Sequence, residues 1–208
     1  MKQLFKNTPK SYIAELSQAT FSGRIVVIDS LLEMKKAVDY LKSYSVLGID
    51  TETRPAFKKG VVHKVSLLQL STLDCCFLFR LGRINLPTEI LELLESKEIT
   101  KVGLSLKDDL HALRQRVPFT PAGFIDLQDY VKPFGIEDMS LQKLYANLFA
   151  LRISKSARLT NWDADVFADS QKHYAALDAY ACLQIYNELL ELEQSKAYVV
   201  TEISWRVF

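Results

Sequence analysis

The sequence predicts an α/β domain in which helices flank a mixed β-sheet. Two extended runs, residues 65–72 and 75–81, are separated by only two residues, which is the spacing of an antiparallel hairpin. Short β-branched segments alternate with segments whose apolar residues recur at helical spacing, and the C-terminal part is mostly helical. A hairpin combined with strand–helix alternation is typical of a sheet that contains parallel and antiparallel strands and is covered by helices.

Local patterns predict the elements of the first part of the chain. Residues 1–23 form a polar lead-in, with a short helix expected at residues 11–18. The β-branched run RIVVID, residues 24–29, predicts a strand. Ser30 is a suitable N-cap for the following helix, because its hydroxyl can accept a hydrogen bond from a first-turn backbone N–H. The run SVLGIDTE, residues 45–52, predicts the next strand.

The second part of the chain alternates between strands and helices and then becomes helical. After Pro87 the pattern predicts a helix, a brief strand with a turn, a second helix and another extended piece, at residues 88–99, 100–106, 107–117 and 124–130. Residues 140–193 are expected to be helical, apart from an interruption at residues 155–163.

The length of 208 residues is sufficient for one α/β domain with its own core. We expect residues 24–195 to form this domain, preceded by an N-terminal extension of residues 1–23 and followed by a C-terminal tail of residues 196–208. The tail is apolar enough either to pack back on the domain or to meet a partner. The sequence leaves both alternatives open, and it identifies no protein partner.

The charge and the cysteines restrict the class of protein further. The 26 basic and 25 acidic residues give a net charge of +1, which neither favours nor excludes a polyanionic partner, since a local patch can exist without a global excess. The N-terminus lacks an apolar signal core, and no apolar run approaches the length of a membrane span. The three cysteines (Cys75, Cys76 and Cys182) do not suggest a disulfide framework. We therefore expect a cytoplasmic protein in a reducing compartment, with no membrane association.

Carboxylates occur at three separate places where strands or helices begin or pack. Asp50 and Glu52 are two positions apart on a predicted strand, so they point to the same side and raise each other's pKa. Asp108 and Asp109 open a predicted helix, and Asp178 lies beside alanines in another helix. Three or four converging carboxylates repel one another unless cations neutralise them, and oxygen ligands suit Mg²⁺ or Mn²⁺.

Each acidic position also has an ordinary explanation. An Asp-x-Glu at a strand end can be a solvated turn, and acidic residues that open a helix can complement its dipole. Asp178 alone could be a surface residue of an amphipathic helix. Only the ordered combination of the three places favours a metal site.

Three segments together resemble a known family. The segments GIDTE (48–52), VGLSLKDDLHAL (102–113) and NWDADVFADSQKHYAALDAYACLQIY (161–186) are similar, in order and spacing, to the three motifs of the DEDD superfamily of 3′–5′ exonucleases. The similarity is greatest to the tyrosine (DEDDy) branch, which contains ribonuclease D and the exonuclease domain of the Werner syndrome helicase. It covers about residues 24–193 and implies a ribonuclease H-like exonuclease fold with a mixed sheet of five or six strands.

The resemblance implies a role for each acidic position. Asp50 would bridge two divalent cations, Mg²⁺ or Mn²⁺, while Glu52 and Asp178 would bind the cation on the side of the attacking water. Asp109 would hold the second cation, directly or through water. Asp109 fits the family motif better than Asp108 does, because it is followed by a leucine and lies seven residues after the valine of VG. An exchange of roles between the two aspartates is the alternative.

The third motif satisfies the patterns of two branches of the superfamily. One branch has a tyrosine four residues before the last aspartate, here Tyr174, and the other has a histidine five residues before it, here His173. Positions four apart share a helix face, whereas positions five apart diverge. We therefore predict that Tyr174 orients the attacking water and that His173 faces solvent.

Two basic segments are candidates for binding nucleic acid. The first, residues 53–65, follows the first acidic motif and contains Arg54, Phe57, Lys58, Lys59, His63 and Lys64. Basic side chains contact phosphates, and an aromatic ring can stack on a terminal base. The second segment, residues 151–162, contains Arg152, Lys155 and Arg158 and resembles the family segment that lies near the bound strand. A solvated loop is the alternative for the first segment, and Trp162 is expected to be a core residue.

The acidic positions predict a divalent-metal site, and the resemblance implies a metal-dependent 3′–5′ exonuclease that releases nucleoside 5′-monophosphates from single-stranded or 3′-ended nucleic acid by a two-metal-ion mechanism. The local similarities lean towards DNA rather than RNA as the substrate. The alternatives are an inactive nucleic-acid-binding module of the same fold, an RNA-trimming enzyme similar to ribonuclease D, and an endonuclease of the broader ribonuclease H-like group. Gln69, a polar residue in an apolar strand, can be explained by a buried hydrogen bond or by a substrate contact.

Overall fold

A computed structural model describes residues 1–202 of the chain. The strands are β1 (Lys2–Phe5), β2 (Arg24–Ile28), β3 (Val46–Thr53), β4 (Val65–Ser71), β5 (Cys75–Arg80), β6 (Thr100–Gly103), β7 (Phe124–Asp126) and β8 (Tyr198–Thr201). The α-helices are α1 (Lys10–Glu15), α2 (Leu31–Leu41), α3 (Leu81–Ile84), α4 (Thr88–Glu95), α5 (Leu106–Arg114), α6 (Leu127–Tyr130), α7 (Leu141–Phe149) and α8 (Asp169–Ser195). A 3₁₀ helix spans Lys132–Phe134. In this part of the chain no helix is both long enough and apolar enough to cross a bilayer.

Six strands form the central sheet in the order β2-β5-β4-β3-β6-β7. Strand β4 is antiparallel to both of its neighbours, whereas the other neighbouring pairs are parallel. The sheet is therefore mixed, as the sequence predicted. The antiparallel pairing sets Asp50 of β3 directly opposite Gln69 of β4, and a register irregularity follows Glu52.

Helices cover both faces of this sheet and create two hydrophobic clusters. One cluster joins α7 and α8 to the inward side chains of β4, β5 and β6, and the other packs α2, α4 and α5 on the opposite face. The alternation of side chains along β3 sends Ile49 to the second cluster, while Asp50 and Glu52 face the side of α8. The acidic pair thus lies between the sheet and the longest helix of the described part.

Helix α8 lies unusually close to β3 because the residue beneath it is a glycine. A Cβ atom added at Gly48 would lie 1.9 Å from the Ala179 carbonyl oxygen and 3.2 Å from the Leu183 Cβ. Ala175, Ala176 and Ala179 are fully buried and add little bulk to the same helix. The small residues on both elements allow the helix backbone to approach the strand, which brings Asp178 towards Asp50.

The terminal segments of the described chain meet in a second sheet. Strand β1 pairs in parallel with β8, with Lys2 opposite Tyr198 and Phe5 opposite Thr201. The Asn147 side chain fixes this sheet to α7, because its Oδ1 accepts from the Phe5 N–H and its Nδ2 donates to the Phe5 carbonyl, both at 2.8 Å. The tail therefore packs back through residues 198–201, and its residues 203–208 lie outside the described part.

Most predicted elements are confirmed, and several bounds differ for local reasons. The hairpin, the helix after Ser30 and the strand that carries Asp50 form as predicted. The extended piece predicted at 124–130 is wrong beyond Asp126, because Asp126 caps a short helix by accepting a hydrogen bond from the Gln128 N–H at 2.9 Å. The break before α8 is longer than predicted and spans residues 150–168. Strands β1 and β8 were not predicted.

We expect Gly48→Ala to destabilise the protein by about 1–3 kcal/mol, since the added methyl must displace the α8 backbone. The free energy of unfolding from urea titration measures this change. Gly82→Ala is the matched control, because a Cβ at Gly82 meets nothing within 4 Å. Equal stability of the two variants would contradict the close packing of α8 on β3.

Candidate active site

Three carboxyl groups converge between β3 and α8. Each of Asp50, Glu52 and Asp178 offers an oxygen, and these oxygens lie within 4.8 Å of one another. The alternation of β3 places the first two on one face, and the close approach of α8 supplies the third. Asp178 and Glu52 are buried, with exposed fractions of 6% and 9%. The set consists of carboxylate oxygens only, so its chemistry fits hard divalent cations such as Mg²⁺ or Mn²⁺.

Asp109 lies beside this group. Its Oδ1 accepts a hydrogen bond from the Thr51 hydroxyl, and Thr51 is the residue between the two acidic positions of β3. Its negative charge contributes to the raised pKa values of Asp50 and Glu52. Asp108, in contrast, is exposed. This geometry favours Asp109 over Asp108 as the acidic residue of α5 near the site, and its role as a metal ligand stays a prediction.

A carboxylate that the sequence analysis did not single out fixes the start of α5. Asp126 accepts hydrogen bonds from the N–H groups of Ser105 at 3.0 Å and Leu106 at 2.8 Å. Ser105 is the N-cap of α5, but its backbone is left-handed with φ 60° and its own side chain makes no capping hydrogen bond. The Asp126 carboxylate therefore takes the place of a side-chain cap. Asp126 therefore determines where α5 begins and so where Asp109 lies. Its position at the end of a short strand, before a helix, was the available signal.

Tyr174 and His173 occupy different environments on α8. Tyr174 is partly buried, and its ring packs against that of Trp162 with centroids 6.1 Å apart. Its hydroxyl acts on both neighbouring carboxyls, because a hydrogen bond from it lowers the pKa of Asp178 and that of Glu52, against the larger effect of burial. His173 is exposed, and its Nδ1 lies 2.8 Å from the Asp169 carbonyl oxygen. Trp162 is buried, as expected for a core residue.

Burial dominates the electrostatics of the three carboxyls. Loss of solvation, followed by repulsion from Asp178 and Asp109, raises the pKa of Glu52 to about 8. Burial also raises the pKa of Asp178 to about 7. Burial and then the charges of Asp178, Asp109 and Glu52 raise the pKa of Asp50 well above its usual range. Without a cation, the group therefore holds protons near neutral pH.

A cleft of about 340 Å³ opens onto Asp50, Tyr174 and Asp178. Lys155 and Arg158, two of the predicted nucleic-acid-binding residues, line it as well. Their charges act on the acidic group, since Lys155 lowers the pKa of Asp178 and Arg158 lowers that of Glu52. The cleft thus combines cation-binding oxygens with two basic side chains suited to a phosphate.

A second cavity of about 420 Å³ lies where the loop after β3 meets the segment before α8. Its lining from the loop includes four of the predicted residues, Arg54, Phe57, Lys58 and His63. Leu159 and Asn161 come from the other segment. The Phe57 side chain is 83% exposed, so it has no packing role in the core. Lys59 and Lys64 belong to the same exposed loop.

Arg152 has a different environment from the other predicted basic residues. Its Nε donates a hydrogen bond to the Leu16 carbonyl at 2.9 Å, and its backbone forms an isolated parallel β-bridge with Gln18. It does not line the 340 Å³ cleft. A contact between Arg152 and a nucleic acid stays a prediction.

Comparisons with known proteins give consistent results. A family model described as 3′–5′ exonuclease matches residues 25–193. The mouse "Bifunctional 3′-5′ exonuclease/ATP-dependent helicase WRN" is 32% identical over 155 residues, which cover 72% of this chain and 11% of that protein. The Aedes aegypti Nibbler EXO domain superposes with a TM-score of 0.75 at 20% identity, over 86% of this chain and 94% of that one.

The Trypanosoma brucei RNase D in complex with RNA U12 superposes with a TM-score of 0.72 at 21% identity, over 82% of this chain and 63% of that one. At these identities, the two solved structures support the fold alone. The chain spans between 11% and 65% of the length of the first curated relatives.

The raised pKa values predict that the cation-free protein becomes less stable as pH rises. Between the ordinary carboxyl pKa of about 4 and the raised values, the folded protein binds more protons than the unfolded chain does. The free energy of unfolding in chelator should therefore fall from about pH 5 to about pH 8. The fall is up to about 1.4 kcal/mol per pH unit for each proton that the folded protein binds in excess of the unfolded chain.

Urea unfolding at several pH values measures this slope. Saturating Mg²⁺ should reduce the fall, because a bound cation replaces the protons. Glu52→Gln should make the slope in chelator shallower, whereas Asp39→Asn, which changes an exposed carboxyl on α2, should leave it unchanged. A pH-independent free energy in chelator would refute the prediction.

Proposed function

The chain belongs to the 3′–5′ exonuclease family, and from this premise we propose that it removes nucleotides one at a time from the 3′ end of a nucleic acid, releasing nucleoside 5′-monophosphates. The observation that carries the proposal is the convergence of Asp50, Glu52 and Asp178 beside a cleft that is lined by Asp50, Asp178 and Tyr174. The family match, which includes all of these residues, supports the same activity.

Two divalent cations, Mg²⁺ or Mn²⁺, are proposed to occupy the acidic group. Asp50 is the candidate bridging ligand, because burial and repulsion from three other carboxyls act on it. Glu52 and Asp178 are the candidate ligands of one cation, and Asp109 of the other. When bound, such cations would supply positive charge for activation of water and stabilisation of the leaving oxygen.

Hydrolysis requires water to attack the phosphorus of the terminal phosphodiester while the bond from phosphorus to the 3′ oxygen of the preceding nucleotide breaks. The departing oxygen takes a proton and becomes the new 3′ hydroxyl. Tyr174 is the proposed orienting group for the attacking water. Burial and the nearby Asp178 and Glu52 raise the pKa of its phenol, so it stays protonated and can donate a hydrogen bond.

The two basic segments are proposed to hold the strand. Lys155 and Arg158 lie in the cleft and suit the phosphate next to the reacting bond. Arg54, Phe57, Lys58 and His63 line the neighbouring cavity, where basic groups would contact further phosphates and the exposed phenyl ring would stack on a base. Lys59, Lys64 and Arg152 complete the proposed binding residues.

DNA is the first candidate substrate, because the motifs lean towards the Werner-type domain and the mouse WRN protein is 32% identical. RNA is the second candidate, supported by the fold shared with a trypanosomal RNase D that was solved with RNA U12. A protein contact to the 2′-hydroxyl, which RNA has and DNA lacks, would distinguish the two substrates. Matched DNA and RNA strands are therefore required in the assay.

The activity test uses a 5′-labelled single strand of DNA or RNA with Mg²⁺, with Mn²⁺ and with chelator. We expect a ladder that shortens by single nucleotides in the presence of either cation and no reaction in chelator. Asp50→Ala should reduce the rate at least about 1,000-fold, as loss of a group central to catalysis does. Asp108→Ala, at an exposed site, should keep the rate within about twofold.

Two results would contradict the proposed activity. A lack of hydrolysis by the unmutated protein, together with binding of the strand, would support the inactive binding module. Cleavage of a circular strand would support the endonuclease.

Tyr174→Phe should lower kcat at least about 10-fold, since the hydroxyl is lost while the ring still packs against Trp162. His173→Ala should have little effect, because the imidazole is exposed. Single-turnover hydrolysis of the labelled strand compares the two variants. The reverse order of effects would assign the water-orienting role to His173.

Removal of Lys58 and Lys59 together should weaken strand binding and lower the salt dependence of log K by about 0.7 per lost phosphate contact. Fluorescence anisotropy of a labelled strand at several salt concentrations, in chelator, measures this effect. Lys35→Ala combined with Lys97→Ala removes the same charge at exposed sites on α2 and after α4. An equal loss of affinity in both double variants would show that strand binding depends on the net charge of the protein and not on the position of Lys58 and Lys59.

A further inference from the structure

Gln69 is a buried amide without a partner. Its side chain is fully buried in β4, and in the described part of the chain it is the residue whose buried side-chain atoms, Oε1 and Nε2, both lack a hydrogen bond. A buried amide that makes no hydrogen bond costs free energy relative to an apolar side chain of similar size. Neither atom therefore has a hydrogen-bond partner among residues 1–202, and burial excludes a direct substrate contact.

The register of the sheet places Gln69 directly opposite Asp50. Side chains at directly opposed positions of an antiparallel pair project to the same face, with Cβ atoms about 4.5–5.5 Å apart. Both therefore lie on the side of α8, where the three carboxyls converge. On the other side of β4, Gln69 is opposite Leu78 of β5, an apolar residue of the hydrophobic cluster beneath α8, so this neighbour offers the amide no side-chain hydrogen bond.

The surroundings of Asp50 are acidic. The charged groups that act on it are the carboxyls of Asp178, Asp109 and Glu52, and the Thr51 backbone N–H is its hydrogen-bond donor. An ionised carboxylate can accept about four hydrogen bonds or ligand contacts. Gln69 lies directly opposite Asp50 on the paired strand, and its amide N–H groups have no acceptor among residues 1–202.

We propose that Gln69 is a positioning residue for Asp50: its unpartnered amide, directly opposite Asp50 on β4, donates an N–H hydrogen bond to the Asp50 carboxylate when the cation site is occupied and orients it towards that site. This inference rests on the proposed function, because it requires the cations that Asp50 is proposed to hold. Hydrogen-bonding partners behind metal ligands typically change metal affinity or activity by about 10–100-fold when removed.

The test uses Gln69→Met, which keeps the length of the side chain and removes both hydrogen-bonding atoms. In chelator, the melting temperature should be unchanged or higher, because the removed amide has no hydrogen-bond partner in the described part of the chain. In titrations with Mn²⁺ or Mg²⁺ followed by the melting temperature, the concentration for half of the full shift should rise about 10-fold or more. In the nuclease assay, kcat should fall about 10-fold or more at unchanged KM for the strand.

Leu68→Met is the matched control. Leu68 is the neighbouring buried residue of β4 and belongs to the hydrophobic cluster on the opposite face of the sheet. This variant should keep the cation titration and kcat of the unmutated protein. A Gln69→Met protein with unchanged cation response and unchanged kcat overturns the inference. A large loss of stability in chelator, including failure to fold, also overturns it, since it indicates a structural role.

The inference and the proposed function can fail separately. A cation titration that depends on Gln69, in a protein that hydrolyses no strand, supports the inference and rejects the exonuclease activity. Hydrolysis that is unaffected by Gln69→Met does the reverse. An unmutated protein whose melting temperature responds to neither cation contradicts both.

Discussion

The contact between Gly48 and the Ala179 carbonyl determines how near α8 comes to β3. A side chain at position 48 would occupy the space of the helix backbone, and larger residues in place of the neighbouring alanines would act in the same direction. The carboxyl of Asp178 meets those of Asp50 and Glu52 because this distance is short. The acidic cluster is therefore a product of backbone packing, and small residues are as necessary to it as the acids themselves.

Bringing the acids together is unfavourable in the absence of a cation. Burial removes water from the carboxyls, and their mutual repulsion adds to that cost, so the pKa values of Asp50, Glu52 and Asp178 all rise. Lys155 and Arg158 offset only a part of this effect. The hydrophobic clusters on both faces of the sheet supply the stability that holds the arrangement in place. Electrostatic repulsion and shifted pKa values of this kind are common at sites whose function is to bind a charged ligand.

The sequence was most informative where a residue's environment follows from its own segment. The alternation along β3 predicted that Asp50 and Glu52 share a face, and helical spacing predicted that Tyr174 accompanies Asp178 while His173 faces outward. Other features depend on contacts between distant segments. The cap that Asp126 provides for α5, the hydrogen bond from Thr51 to Asp109 and the pairing of β1 with β8 all join parts of the chain that no local pattern relates. Gln69 is visible in the sequence as a polar residue among apolar ones, but its position opposite Asp50 requires the strand register.

The cleft and its neighbouring cavity are built from two kinds of structure. The three carboxyls project from the central strand β3 and the long helix α8. Lys155, Arg158, Leu159 and Asn161 belong instead to the irregular segment 150–168, and Phe57 and Lys58 belong to the loop after β3. Substitutions in those two segments can change the local shape and charge without moving β3 or α8. The residues that line the two cavities can therefore change in evolution while the acidic residues stay in place, so new specificities can arise on an unchanged framework.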